Sequence, residues 1–280
     1  MCTGGLRDMR ENETSRIVNK VSGMKVYIHY FVIHLKSAMS YKSSFFMSII
    51  GQFLAAFNAF LGMYFMFNRF HSVQGFTYED VLLCFSIIVL SFSIAECFVR
   101  GFDTFSTIVR NGEFDRVMVR PRNEIIQVLG SRIEFSKLGR MLQSIGTLVY
   151  AILCSRIEWS GGKVITLLGM LIGGIMIFSG MFMIYAAFCF FTLEGLEFMN
   201  VFTDGAREFA GYPMSIYGKK MLLICTFVIP YALIQYYPLL YLLDRGKAWY
   251  SILPYISSLF IIPCYIFWKI GVKHYQSNGS

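Results

Sequence analysis

Long apolar runs alternate with short charged stretches along this chain. Runs at 45–67, 81–99, 133–154, 164–191 and 250–268 each hold roughly 20 residues or more, the length a helix needs to cross a bilayer core. In lipid every backbone polar group must be satisfied within the chain, so runs of this length read as helices. The pattern predicts an all-α polytopic membrane protein.

The stretch 192–245 fits two arrangements. "GKKMLLICTFVIPYALIQYYPLLYLLDR" (218–245) is long enough to span, but Pro230 and Pro238 interrupt it. Proline removes a helix hydrogen bond and clashes with the preceding turn. In one arrangement 218–243 is a pair of re-entrant helices broken at these prolines, and 196–217 is the fifth span. In the other, 221–243 is the fifth span and 192–220 is a cytoplasmic loop. Both give six transmembrane helices. Before them, "MKVYIHYFVIHLKSAMSYKS" (24–43) mixes aromatics with Lys25, Lys36 and Lys42 and suits an N-terminal interfacial helix. Residues 1–23 read as a disordered cytoplasmic leader ahead of a single transmembrane domain, 24–280, and Met24 could be the natural start. The sequon at Asn12 would be inert on that side of the membrane.

Charge sets the orientation. Residues 1–44 and 100–137 carry seven Lys and Arg each, whereas the loop after 45–67 carries Arg69 alone. The positive-inside rule places the N-terminus, the 100–131 segment and, with six spans, the C-terminus in the cytoplasm. Charged residues make up 15% of the chain, against about 25% in soluble domains. The net charge of +8 flanks the apolar runs and does not form a patch, which argues against nucleic acid. Seven scattered cysteines without a CxxC and four dispersed histidines give no disulfide framework or metal site.

No GxxxxGK followed by Ser or Thr occurs, so the chain is expected to hold no ATP site of its own. No HExxH or GxSxG is present either, and no catalytic residues are assigned. Glu194, Glu197, Asp204 and Glu208 would share one face of a helix, with Arg207 off it. They read either as a stripe lining a polar path or as the solvated face of a cytoplasmic helix. Gln52 and Asn58 in the first run could bond a neighbouring helix or line that path. Gly169 and Gly173 form a GxxxG that serves close packing within the fold or a dimer seam.

The segment between the second and third runs has a different character. "FDTFSTIVRNGEFDRVMV" (102–119) spaces Phe102, Phe105, Ile108 and Val109 for a short amphipathic helix. Asn111-Gly112 breaks it, and Pro121 stiffens the chain beyond it. Such a stiff, charged, half-apolar knob is either a docking element for a cytosolic partner or a solvated loop.

"GEFDRVMVRPRN" (112–123) is similar to the G-x-[LI]-[DE]-x-x-L-x-[RK]-P loop of ABC-2 type transporter permeases, with Val119 a mild departure. "YPMSIYGKKMLLICTFVIPYALIQYYPLLYLL" (212–243) resembles the YP-x-x-[IV]-Y … [IV]-P-[FY]-x-x-x-x-[YF]-P pattern of a bacterial subfamily. The resemblance covers 24–272. It implies one transmembrane half of an ATP-driven exporter in the bacterial inner membrane. The substrate could be a lipid, drug, peptide or glycan. ATP and Mg would be bound by cytosolic ABC ATPase subunits on a separate chain, and a second permease, identical or related, would complete a dimer. The coupling helix would lie within 100–131, with Glu113, Asp115, Arg116, Arg120, Pro121 and Arg122 transmitting ATPase motion to the first two spans. Gln52, Asn58, Glu197, Asp204 and Glu208 are the pathway candidates, and the resemblance favours the re-entrant arrangement of 218–243. An ion-coupled carrier, a channel or a membrane scaffold would lack the ATPase; no inverted repeat supports a carrier.

Overall fold

The computed structural model describes residues 23–70, 72–192 and 199–276. Residues 1–22 of the expected leader, and Glu194 and Glu197 of the acidic stripe, lie outside the described residues. Among the described residues regular structure is helical, apart from one isolated bridge between Val73 and Phe76.

Four helical segments among them are long and apolar enough to cross a membrane: 42–70, 78–98, 161–188 and 248–274. The described residues open with α1 (Gly23–Met39), which buries no residue, and continue into α2 (Lys42–Phe70). A tight turn leads to α3 (Tyr78–Phe98), which opens on a capping box between Thr77 and Asp80. Four short helices form the charged segment: α4 (Arg100–Asp103), α5 (Phe105–Arg110), α6 (Phe114–Met118) and α7 (Glu124–Ser131). Next come α8 (Leu138–Cys154) and α9 (Gly161–Phe188). The region after α9 breaks into α10 (Met199–Phe202), α11 (Asp204–Phe209), α12 (Lys219–Phe227), α13 (Tyr231–Ile234) and α14 (Tyr236–Leu242). The last apolar run holds a 3-10 turn, α15 (Leu253–Ser258) and α16 (Ile261–His274).

Helix α3 is the centre, packed against both α8 and α9. It is apolar all round, and 89% of its most apolar stretch is buried. Helix α9 also packs along α15 and α16. Its glycines serve packing within the chain: a Cβ on Gly173 would stand 2.6 Å from the Pro254 carbonyl. By contrast α2 rests mainly on α8, and only 6% of its most apolar stretch is buried. The end where α3 and α9 begin is tied together by Lys163 Nζ to Asp244 Oδ2 (2.7 Å) and by Arg245 donating to the Gly75 carbonyl (2.8 Å).

Three details differ from the sequence reading. The third run starts its α-helix at Leu138, not 133, because Glu134 is extended and paired with Arg132 (2.7 Å) and 135–137 is a 3-10 turn. The described part of 196–217 is not one helix: Thr203 (φ −109°, ψ −77°) separates α10 from α11, and a 3-10 turn follows Pro213. The acidic stripe is therefore not carried on a continuous helix. Finally, 219–242 does bend, by 86° between α12 and the helices after Pro230. Pro238, however, breaks nothing. It sits third in α14, where the missing N–H has no intrahelical partner to lose, and the second break falls at Gln235 (φ −124°, ψ −51°).

Candidate functional site

The charged segment turns its aromatic residues inward and exposes Arg110, Glu113, Arg116 and Arg120. Phe102, Phe105, Val109, Phe114 and Val128 are buried. The turn after α5 is closed by Gly112 at φ +67°, a conformation glycine adopts without a Cβ clash. Helix α4 lies against α7 at Gly101, where a Cβ would come within 1.8 Å of the Val128 carbonyl. Asn123 caps α7 by accepting from the Ile125 amide (2.9 Å). Gln127 holds the loop between α6 and α7, its Nε2 donating to the carbonyls of Val117 and Arg122 (3.1 Å each). Sequence inspection does not single out Gln127; its role depends on a fold-back of ten residues.

On this base, Glu113, Arg116, Arg120 and Pro121 are exposed, and Arg122 is half-buried. Met118 and Val119 stand out among them, Val119 at 82% exposure. The tip thus joins charge to an apolar pair. Asp115 is half-buried, like Arg122, and accepts from Tyr275 Oη (2.9 Å). Burial and that hydrogen bond push the Tyr275 phenol up to about 12, so it remains a donor at neutral pH.

Behind the segment, where α3 ends, one buried carboxylate gathers three cations. Glu96 Oε1 accepts from Arg100 (3.1 Å) and Lys137 (2.6 Å), and Oε2 from Arg140 (2.8 Å). Arg140 also donates to Gln52 Oε1 on α2 (2.8 Å). It thereby links the carboxylate to a cavity of about 80 Å³ between α2, α3 and α11, lined by Ala55, Ala59, Phe85, Arg140, Arg207 and Glu208 among others. Arg207 lies 5.2 Å from the Phe92 ring centroid and pairs with Glu208 (2.5 Å). Asp204 flanks the pair at 3.9 Å from Arg207.

Of the pathway candidates, Glu208 lines this cavity and Gln52 is bonded to Arg140 in its wall, whereas Asp204 is not part of the lining. Asn58 is exposed on α2 and is not part of the lining. The arginines are the residues that sequence inspection underrates. Helical spacing sets Arg207 off the acidic face, yet α11 folds it onto that face's own carboxylates. The available signal was Glu96, a carboxylate near a span end with Arg140 and Lys137 facing it from the next span.

A family model described as ABC-2 family transporter protein matches residues 53–279, which takes in the cavity and the whole charged segment. No curated protein and no solved structure matches the chain.

Proposed function

The chain belongs to the ABC-2 transporter family, and from that membership we propose that it is the permease of an ATP-driven exporter whose ATPase docks on the tip at 113–122. As a family member it is a multi-pass membrane protein and a transport subunit. The observation that carries the docking reading is the tip itself. Glu113, Arg116, Arg120 and Pro121 are presented with exposed Met118 and Val119 on a base of buried aromatics. A stiff knob of mixed charge and apolar surface suits a groove on a soluble partner, with a few anchors supplying the affinity.

In this reading six crossings place the tip and both termini in the cytoplasm of a bacterial inner membrane. Helix α8, 17 residues, reaches about 25 Å at 1.5 Å per residue and serves as the third crossing. The fifth is the broken chain from α10 onward. Arg207 lies beside Phe92, and Gly211 lies beside Phe85, two helical turns nearer the start of α3. The bent pair α12 and α13–α14 then re-enters before the last crossing. ATP and Mg would reside in two ATPase subunits, and a second permease would face α2. The cavity at Arg140, Arg207 and Glu208 lies beside α2 and is the proposed entry to the substrate path.

The test is affinity purification in mild detergent from the native host, with mass spectrometry and an ATPase assay. The wild-type chain should bring a soluble ABC ATPase with it. The R120A/R122A double variant should insert normally but recover about tenfold less ATPase, the factor carried by roughly 1.4 kcal/mol. Equal recovery by the variant would remove the tip from the docking surface. Wild-type chain free of any ATPase would favour a carrier, channel or scaffold.

A further inference from the structure

The charged segment is fastened to the last helix through each of its pieces. Trp268 on α16 is fully buried, with its ring 5.1 Å from Phe102 on α4 and 5.0 Å from Phe105 on α5. Tyr275, just past α16, stacks edge-on with Phe114 of α6 (5.0 Å) and donates to Asp115. Lys269 Nζ meets Glu124 Oε1 at the start of α7 (2.5 Å). Phe190, after α9, fills the middle of this cluster at 5.1–5.2 Å from Phe105, Phe114 and Trp268. Gly271 lets α16 approach it: a Cβ there would lie 2.6 Å from the Phe190 ring.

Interlocked rings in a buried cluster do not slide; packed cores shift as bodies. The segment's contacts toward α8 are of another kind. They run through the charges around Glu96, which can exchange partners without repacking.

We infer that Trp268, Lys269 and Tyr275 are positioning residues that join the charged segment and the end of α16 into one rigid body, so that force on the tip moves the last span. This deepens the proposed function and rests on it for the source of the force. It adds the last span to the first two, into which the family resemblance sends that force.

A tether tests it. In a background with Cys2 and Cys154 changed to Ser, E124C and K269C are joined by a short bis-maleimide in the permease–ATPase complex in nanodiscs. If the two parts move together, the joined complex hydrolyses ATP at the rate of the unjoined one. Arrest by the tether, with single cysteines unaffected by N-ethylmaleimide, would overturn the inference. Charge reversal supplies a second readout. E124K should lower the ATPase rate about tenfold by setting two cations against each other, and E124K/K269E should restore it. No recovery in the swap counts against the link. A third measurement needs no ATPase, so it separates this inference from the docking reading. In the isolated permease, Y275F should speed amide hydrogen exchange across 114–118 and leave α9 unchanged. Unaltered exchange at 114–118 would sink the rigid body even if the ATPase docks as proposed.

Discussion

Glu96 concentrates the electrostatics of the molecule in one side chain. It is 3% exposed and compensates Arg100, Lys137 and Arg140, which come from the charged segment, from the turn before α8 and from α8 itself. A buried ion pair gains little over a well-packed apolar replacement, but removing one partner strands the other. Here one carboxylate holds three partners, so the loss is asymmetric. Changing a single cation leaves Glu96 still compensated twice. Glu96→Gln leaves Lys137 and Arg140 facing a neutral amide, while Arg100 keeps Asp103 at 2.7 Å. The expected cost is about 3 kcal/mol for E96Q and well under half of that for K137M. Thermal unfolding of the detergent-solubilised permease measures both. Equal shifts in Tm for the two variants would show that the cations are satisfied elsewhere, and Glu96 would lose its central place.

At the scale of elements, α7 is held by a titratable contact. Burial raises the Glu124 carboxyl, but hydrogen bonding to Lys269 and the Coulombic pull of its ammonium outweigh this, so it titrates below the usual carboxylate range. A folded-state value below the unfolded one gives stability that is complete above about pH 4.3 and lost as pH falls through the lower folded value. Acidification below about pH 4 should therefore loosen α7 from α16, seen as faster amide exchange over 124–131, while E124Q should exchange faster already at neutral pH. Persistent protection of 124–131 at low pH would assign the hold to packing alone. The elements themselves were largely legible. The apolar runs, the helix at α1, the break at Asn111-Gly112 and the bend after Pro230 follow from local rules of length, turn chemistry and proline geometry. The contacts that hold them were not. Glu124 meets Lys269 across 145 residues and Asp115 meets Tyr275 across 160, and no local period encodes such pairs. The same limit hid the bond of Asp115 to Tyr275 and set a break at Pro238. Each residue type suits the expected role, and only the tertiary partner decides otherwise.

At the scale of the whole molecule, the odd feature is α2. A span whose most apolar stretch is 6% buried leaves most of its surface to lipid or to another protein. Lipid is as apolar as a leucine face, so association there must come from close packing of small residues, not from hydrophobicity. Gly51 and Gly62 lie eleven residues apart, about three turns, and so on one face of α2. A Cβ on either would meet nothing within 4 Å. Gly139, on α8, is the contrast: its Cβ would lie 1.9 Å from the Ile49 carbonyl, so it serves the seam between α8 and α2 inside one chain. The two kinds of glycine make opposite predictions. G139A should lower Tm of the monomer. G51L/G62L should leave monomer Tm unchanged, because the space around both positions is open. If a second permease packs on this face, the same double variant should cut the dimer fraction in nanodiscs about tenfold, since leucines would hold the helices apart. Mass photometry reads that fraction directly. A dimer that persists in G51L/G62L would assign the bare face of α2 to lipid and require the second permease to sit against another span.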